Sequence, residues 1–379
     1  MSALRPSGKR LEQSDLQYVG AFRVPTGTST ETTFSYGGTA LAFNPANNSL
    51  IMTGHDWHQR SAEISIPSPV NSSNVDLLPR ASLIQGFADP LEGRLNQINP
   101  SDPNSKKIGG HLVYGGKLII SAYSFYDGAG TQNASHFVRP LSLSATGKVV
   151  GPIKLGNVEA RWAAGYMTQI PSEWQVSFGG SALTGLAGVA IASASSVGPS
   201  AAVLDVGTLE GSAPSARSVL GYPSSNSLAA LYGASDASGS NPYWNLASQV
   251  RGVVFPEGSR SVLFFGRHGT GTYCYGEGGE RGQCYDPADS SKGTHAYPYR
   301  YQVWAYDAND LVDVKEGRKQ RSAVQPYAVW SFSLPFEQNS AGRTIGGAAY
   351  DPATQRVFLS QQCVDTDCAP IIHVMKINK

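Results

Sequence analysis

The sequence predicts an all-β protein that folds as a single β-propeller domain over residues 1–379. Three observations lead to this prediction: a composition rich in glycine and aromatic residues, short apolar runs broken by turn-forming residues, and a recurring unit. Glycine accounts for 42 of the 379 residues, tyrosine for 18, and charged residues for only 15%. No long run has the apolar spacing of a helix. β-Branched and aromatic runs separated by Gly, Pro, Asn and Ser are instead typical of strands.

The recurring unit consists of small residues, an apolar strand, a polar turn, a second apolar strand and a polar loop. It occurs five times, as YGGTALAFNPANNSLIMTG, IGGHLVYGGKLIISAYS, WAAGYMTQIPSEWQVSFGG, QVRGVVFPEGSRSVLFFGR and IGGAAYDPATQRVFLSQQ. Self-similar β units at a long, uneven period are typical of β-propellers. A β-sandwich with regular turns is the alternative, but the repeat also includes the strands before and after each unit. We therefore expect five blades, and uneven loops leave six or seven open.

The first apolar strand, residues 18–24, precedes all five units, so we expect it to complete the last blade and close the ring. Glycine pairs such as Gly109-Gly110 begin the predicted innermost strands, where a Cβ would not fit between crowded blades. In a four-stranded blade the loop from the second strand to the third returns to the face where the innermost strand begins. These loops are the long ones, and GHDWHQR (54–60) is the first. The face that they form is the expected functional face.

Charge and hydropathy exclude several classes of partner. The net charge of +1 gives no indication of nucleic-acid binding or of attraction to an acidic membrane surface. No apolar stretch is long enough to span a bilayer. The N-terminal residues MSALRPSGKRLEQSD are polar and contain no signal-peptide core.

The four cysteines form two close pairs in Gly- and Asp-rich loops, Cys274/Cys284 and Cys363/Cys368. Such spacing predicts two local disulfides and an oxidising compartment. We expect a secreted or extracellular monomer whose signal peptide is absent from this chain. A phage-borne protein is the alternative location. Free thiols or a metal-bound thiolate are the alternatives for the cysteines.

Six of the seven histidines lie in the loops of the expected functional face or at the start of an innermost strand. His111 follows a glycine pair directly, and Arg251 occupies the matching place in the fourth unit. Together with Arg161 in the third unit, they predict a basic, aromatic-lined pocket that binds an anionic ligand through paired hydrogen bonds. The residues expected to bind the substrate are His55, Asp56, His58, Arg60, Tyr123, Tyr126, Arg161 and Arg267.

The starts of the innermost strands contain no carboxylates, so a hydrolase with two catalytic carboxylates is disfavoured. No nucleophile elbow, P-loop or dinucleotide motif is present. His, Tyr and Arg together suit β-elimination of a uronic-acid polysaccharide. In that reaction a cation neutralises the carboxylate, a base removes the adjacent proton, and an acid protonates the leaving oxygen.

Two segments, GGTALAFNPANNSLIMTGHDWHQ and GGHLVYGGKLIISAYS, are followed by a later His, a mid-chain Arg and a His/Cys/His group. In this order of residues the chain resembles the secreted β-propeller polysaccharide lyases of the ulvan-lyase type. The resemblance implies that His111 and His136 are the catalytic imidazoles and that Arg251 neutralises the uronate. It also implies a catalytic tyrosine, either Tyr243 or Tyr166. The same resemblance implies a structural zinc site at His268, Cys274 and His295.

The sequence therefore predicts a lyase that acts on an acidic polysaccharide and requires no cofactor. A structural zinc or calcium ion is left open, and a zinc-bound Cys274 competes with the first disulfide. A glycan-binding propeller without catalysis, such as a lectin or an adhesin, is the alternative, although unequal loops count against a multivalent lectin. A scaffold that binds a protein partner is a third hypothesis, and the concentration of histidines at one face counts against it.

Overall fold

The fold is seen in a computed structural model, which describes residues 5–102, 105–189, 195–238, 241–337 and 341–378. The first strand is β1 (Leu16–Arg23), and the four strands of the first blade follow it. They are β2 (Leu41–Asn44), β3 (Ser49–Thr53), β4 (Ser61–Ser65) and β5 (Leu83–Ala88). The second blade comprises β6 (Lys106–Tyr114), β7 (Lys117–Ser124), β8 (His136–Pro140) and β9 (Val150–Ile153). Each of the first four blades is an antiparallel sheet whose strands run outward from the axis in chain order.

The third blade comprises β10 (Met167–Gln169), β11 (Ala182–Thr184), β12 (Ala201–Leu204) and β13 (Ala216–Leu220). The fourth begins with β14 (Gln249–Val254) and β15 (Ser261–Gly269). A separate hairpin follows, β16 (Cys274–Glu277) and β17 (Lys292–His295), before the blade continues with β18 (Tyr299–Asp307) and β19 (Ala328–Phe332). The fifth contains β20 (Ile345–Asp351), β21 (Arg356–Asp365) and β22 (Ala369–Ile377). Strand β1 pairs with β22 as its fourth strand.

The prediction of a five-bladed, all-β propeller closed by its N-terminal strand is confirmed. The innermost strands β2, β6, β10, β14 and β20 each contact the next around the axis, and β20 contacts β2. That contact closes the ring, because the fifth blade is built from both ends of the chain. The prediction that residues 1–379 form a single domain stays a prediction.

Two short helices are additions to the expected pattern. Helix α1 (Ser172–Phe178) replaces the polar turn expected between the first two strands of the third blade, and it buries Trp174 and Phe178. Helix α2 (Ala308–Lys315) follows β18 and begins where the Asp307 side chain accepts a hydrogen bond from the Asn309 amide. No helix in the described ranges is long and apolar enough to cross a membrane.

Both predicted disulfides are present. Cys274, the first residue of β16, is bonded to Cys284 in the loop that connects β16 to β17. Cys363, near the end of β21, is bonded to Cys368 in the turn between β21 and β22. Two disulfides agree with the oxidising compartment expected for a secreted protein.

Small residues at matching positions allow the blades to pack closely around the axis. A Cβ added at Gly109 would lie 2.2 Å from the Ala164 carbonyl oxygen of the third blade. One added at Gly346 would lie 2.0 Å from the Gly38 carbonyl oxygen of the first blade. Glycine is therefore required there by a close approach of backbones, as the sequence predicts.

Candidate functional site

The face where the innermost strands begin, here called the upper face, contains the mouth of the axial channel. Three of the innermost strands have an irregular register at this end, between Ile108 and Gly110, between Val250 and Gly252, and between Ile345 and Ala348. Such bulges redirect the chain and the side chain at the irregular position. In the fourth blade that side chain is Arg251, whereas glycine stands at the corresponding positions of the second and fifth blades.

Arg251 meets Tyr123 at the mouth. Tyr123 is almost fully buried on β7 of the second blade, where it packs against Ala164 and Leu186 of the third. Burial raises the pKa of its hydroxyl, while the charge of the Arg251 guanidinium and a hydrogen bond to it lower that pKa. Because burial is the larger effect, the phenol is protonated at neutral pH. It can then donate a proton.

Lys107 lies beside Tyr123, since the two residues face each other across β6 and β7. The Lys107 ammonium is 2.5 Å from Asp56 Oδ2 and donates to the Asp56 carbonyl oxygen at 2.9 Å. Asp56, Lys107, Tyr123 and Arg251 are called the mouth cluster below. Two cations and one carboxylate leave this cluster with an excess positive charge.

The excess charge resides on Arg251. The residue is partly exposed, and no carboxylate in the described ranges forms an ion pair with it. Its Nε is buried without a hydrogen-bond acceptor among the described residues. An arginine in this state presents a planar set of donors suited to a carboxylate or a sulfate.

The loop GHDWHQR is a tight turn tied to its surroundings by backbone bonds. The His58 and Gln59 amides both donate to the His55 carbonyl oxygen, and the His55 amide donates to Thr33. The Gln59 side chain accepts from the Ile108 amide at 2.6 Å, which attaches the loop to the second blade. As a result Asp56 turns inward to Lys107, while Trp57 is 83% exposed.

The two imidazoles of this loop differ in their bonding. His55 Nδ1 accepts the Trp57 amide at 3.1 Å, and burial followed by the charge of His58 lowers the pKa of His55. His55 is therefore neutral at pH 7, with its proton on Nε2. The ring of His58 lies 5.4 Å from that of His55, is exposed, and forms no hydrogen bond within the described residues.

The imidazoles assigned to catalysis from the resemblance lie inside the seams between blades. His111 is 1% exposed, and its Nε2 lies 2.9 Å from Ser61 Oγ of the first blade. Its Nδ1 is buried without a partner among the described residues, and the residue also lines a cavity on the axis. His136 is fully buried between Ser135 Oγ at 2.8 Å and Thr184 Oγ1 of the third blade at 3.1 Å. Burial lowers the pKa of each to about 3. Neither belongs to the mouth cluster, and their catalytic roles stay predictions that this placement does not support.

The two candidate tyrosines also lie away from the mouth cluster. Tyr166 is buried and donates to the Ser200 carbonyl oxygen at 2.9 Å, and burial raises the pKa of its hydroxyl. Tyr243 stacks on Tyr232 with ring centroids 3.4 Å apart, and its carbonyl oxygen accepts from Trp304. Both tyrosines contribute to packing within and between blades.

The predicted zinc site needs a correction. Cys274 is bonded to Cys284 and therefore has no thiolate to offer a metal ion. His268 Nδ1 lies 2.8 Å from Ser248 Oγ, and His295 Nδ1 lies 2.7 Å from Asp286 Oδ2. Among the residues that the structure describes, no three His, Cys, Asp or Glu side chains form a potential metal site. The open expectation of a structural zinc or calcium ion stays untested.

The remaining predicted substrate-binding residues are divided between ion pairs, packing and solvent. Arg60 pairs with Glu31 at 2.6 Å, and Arg161 pairs with Glu159 at 2.9 Å. Arg267 is buried and lies 4.2 Å above the ring of Tyr299. Tyr126 is 52% exposed.

The structure brings Asp56, Tyr123 and Arg251 together, with His55 and His58 beside them. Lys107 is the member of the mouth cluster that the sequence analysis missed. Its position immediately before the Ile-Gly-Gly that opens an innermost strand could have identified it as a residue of the functional face.

The opposite end of the channel has a different chemistry. A cavity of about 100 Å³ lies on the axis, lined by all five innermost strands. The strands contribute Leu41, Leu112, Met167, Val253 and Ala348 to its wall. His111, Thr168, Gln169 and Glu257 add polar groups to the same wall.

Comparison with known proteins gives no family for this chain. No family model matches it, and no curated protein does. Among solved structures, an exo-1,5-α-L-arabinanase from a bovine ruminal metagenomic library is 10% identical, with 92% of this chain and 95% of that chain covered and a TM-score of 0.43.

A GH43 endo-arabinanase from Bacillus licheniformis is 11% identical over 93% of this chain and 96% of that one, with a TM-score of 0.43. A luciferin-regenerating enzyme is 8% identical over 98% and 95%, with a TM-score of 0.36. Two of these three neighbours are carbohydrate-active enzymes. At TM-scores below 0.5 the similarity assigns no function to this chain.

Proposed function

We propose that this protein is a polysaccharide lyase that cleaves beside a uronic-acid unit bound at the channel mouth. The observation that carries the proposal is Arg251, a partly exposed arginine on an innermost strand. It has no carboxylate partner in the described ranges and lies beside a protonated phenol. Elimination requires a cation at the carboxylate and an acid at the leaving oxygen. The mouth cluster has a candidate for each.

In the proposed reaction Arg251 and Lys107 hold the uronate carboxylate, so the proton on the adjacent carbon becomes more acidic. His58 accepts that proton, because it is an exposed imidazole with no hydrogen bond among the described residues. The electron pair forms a carbon–carbon double bond as the bond to the leaving oxygen breaks. Tyr123 donates its proton to that oxygen, and exchange with water restores both side chains.

The test is to incubate the full-length protein with a panel of acidic polysaccharides and to follow the ultraviolet absorbance of unsaturated uronates. Arg251→Gln should reduce turnover by about 10²- to 10³-fold, as the loss of a transition-state donor does in other enzymes. Arg356→Gln is the matched control, because Arg356 is also partly exposed but lies at the opposite face of the ring. Undiminished turnover in Arg251→Gln would contradict the proposal.

A second candidate function is glycan binding without chemistry. It is favoured by three exposed aromatic rings on the upper face, Tyr36 at 59%, Trp57 at 83% and Tyr126 at 52%. Such rings provide apolar faces for sugars. Retained binding to an acidic polysaccharide with no absorbance change on any member of the panel would favour this function over the lyase.

A further inference from the structure

The axial cavity of about 100 Å³ lies at the end of the channel opposite the mouth cluster. Its inner wall contains buried apolar side chains such as Leu41, Met167 and Val253. Its outer end is lined by residues that follow the innermost strands, among them Pro45 and Pro352, which are exposed. The cavity is therefore a largely apolar pocket that opens at the face opposite the upper face, here called the lower face.

Aromatic rings form a further part of the pocket wall. Phe255 is buried, whereas Phe43 and Tyr350 are partly exposed. An aromatic ring packs against an alkyl chain and attracts a cation to its face. His111 also lines the pocket, but burial lowers its pKa to about 3, so the ring is neutral and repels no cation. Such a wall suits an organic ligand with an apolar body.

The outer end of the pocket has a negative charge. Glu257 lines it directly. Burial is the largest cause that raises the pKa of the Tyr350 hydroxyl, and the charges of Glu257, Asp351 and Glu173 raise that pKa further. The backbone amide of Glu257 has the opposite effect. The three carboxylates therefore lie close enough to act on one phenol at the opening, and they are called the acidic rim below.

The acidic rim is not neutralised by the residues around it. None of its carboxylates forms an ion pair in the described ranges. Asp351 and Glu173 accept backbone amides at 2.9 and 2.7 Å, and these neutral donors leave the negative charge in place. Arg356 and Lys376 follow Asp351 in register on the next two strands. Even with both included, the carboxylates outnumber the cations, so the rim favours a positively charged ligand.

The order of these surfaces limits the shape of a matching ligand. The charge has to stay at the rim, because an ammonium placed among apolar side chains loses its hydration without gaining a partner. The apolar body then fills the interior. Since a cavity of ~150 Å³ in another protein holds the six carbons of benzene, the space here suits about four carbons. A lysine side chain does not fit this order, because its ammonium would enter the apolar end first.

We propose that the pocket binds a small primary alkylamine in its protonated form, with the alkyl chain in the cavity and the ammonium at the acidic rim. The ammonium donates to the Glu257 carboxylate and lies against the ring of Tyr350. This site differs from the mouth cluster in position and in the sign of its charge. It goes beyond the proposed lyase activity and does not depend on it.

The test measures binding of n-butylamine to the full-length protein at pH 7 by saturation-transfer NMR and isothermal titration. Saturation transfer should be strongest to the terminal methyl group. The affinity should increase about threefold to fourfold with each CH₂ from ethylamine to n-butylamine and decrease for n-octylamine, which exceeds the cavity. The neutral n-butanol should bind about fivefold more weakly. Nα-acetyl-lysine methylamide should show no transfer.

Two variants test the two parts of the pocket. Glu257→Gln removes a charge of the acidic rim and should weaken n-butylamine binding about threefold, with n-butanol unchanged. Glu277→Gln is the matched control, because Glu277 is an exposed carboxylate on the separate hairpin of the fourth blade. Ala348→Leu fills the cavity and should abolish binding in a protein that thermal melting shows to be folded.

Several results would overturn the proposal. They are the absence of transfer to n-butylamine, equal affinities for n-butylamine and n-butanol, and equal affinities in Glu257→Gln and Glu277→Gln. Binding of the lysine derivative as tightly as n-butylamine would also overturn it. Arg251→Gln should leave n-butylamine binding unchanged, since Arg251 lies at the upper face. The outcome for this site is therefore separate from the outcome for turnover of a uronate.

Discussion

The seams between blades and the mouth of the channel use similar residue types for different purposes. In the seams, His136 is buried with both ring nitrogens bonded to hydroxyl groups. His111 is buried with its Nε2 bonded to Ser61, while its Nδ1 has no partner among the described residues. At the mouth, Arg251 is partly exposed and His58 is exposed, with few partners among the described residues. A polar group with its bonds satisfied inside the protein stabilises a fold, whereas one with free capacity can bind a ligand. Hydrogen-bond partners therefore separate the two roles more clearly than residue type does.

The largest expected effect is on stability, from a substitution in a seam. His136→Ala removes a fully buried ring and both of its hydrogen bonds, so it should lower the free energy of unfolding by about 2–5 kcal/mol. Denaturant unfolding of the purified variant measures this loss. Turnover per folded molecule should stay near that of the wild type. If a folded His136→Ala or His111→Ala variant were inactive instead, the catalytic role expected from the family resemblance would be supported. The purely structural role of the seam histidines would then be contradicted.

Acid should act on the buried histidines. Burial lowers the pKa of His111, His136 and His373 to about 3 and that of His268 to about 4, from an ordinary value of 6.5. At a pH between the folded and the unfolded pKa of a histidine, the unfolded chain binds a proton that the folded chain does not. Stability therefore falls as the pH drops below 6.5. Each histidine should contribute a loss on the order of 1 kcal/mol per pH unit, which ends near its folded pKa.

Melting temperatures measured from pH 7 to pH 4 check this prediction. His136→Phe serves as the control, because phenylalanine keeps most of the buried ring volume but cannot titrate. Its stability should depend less steeply on pH than that of the wild type. Equal slopes for the two proteins would mean that His136 does not contribute to the acid sensitivity.

The smallest expected effect is on the affinity of the mouth cluster for an acidic ligand. Asp56 neutralises Lys107 and raises the pKa of Tyr123, so Asp56→Asn should increase the affinity for an acidic oligosaccharide. We expect an increase of about two- to fivefold, the range for a partly exposed ion pair. Lys107→Met should change the affinity in the opposite direction. Isothermal titration at low salt measures both, and a weaker affinity in Asp56→Asn would show that Asp56 positions the loop more than it screens charge.

Much of the fold was predictable from local patterns. The five units, the N-terminal closing strand and both disulfides follow from apolar runs, glycine pairs and cysteine spacing, which act over short distances in the chain. Helix α1 was missed because PSEWQ resembles a polar turn, and its helical form depends on burying Trp174 against Phe255 of the fourth blade. The additional hairpin β16–β17 was missed because its strands are short and rich in glycine.

Local sequence patterns were enough to predict the ring, the face that bears the long loops, and the place of Arg251 on an innermost strand. Which polar groups already have partners depends on the tertiary structure. His111 meets Ser61 from a position 50 residues away, and Lys107 meets Asp56 from 51 residues away. Such contacts depend on how neighbouring blades pack, so the spacing of residues within one blade does not predict them.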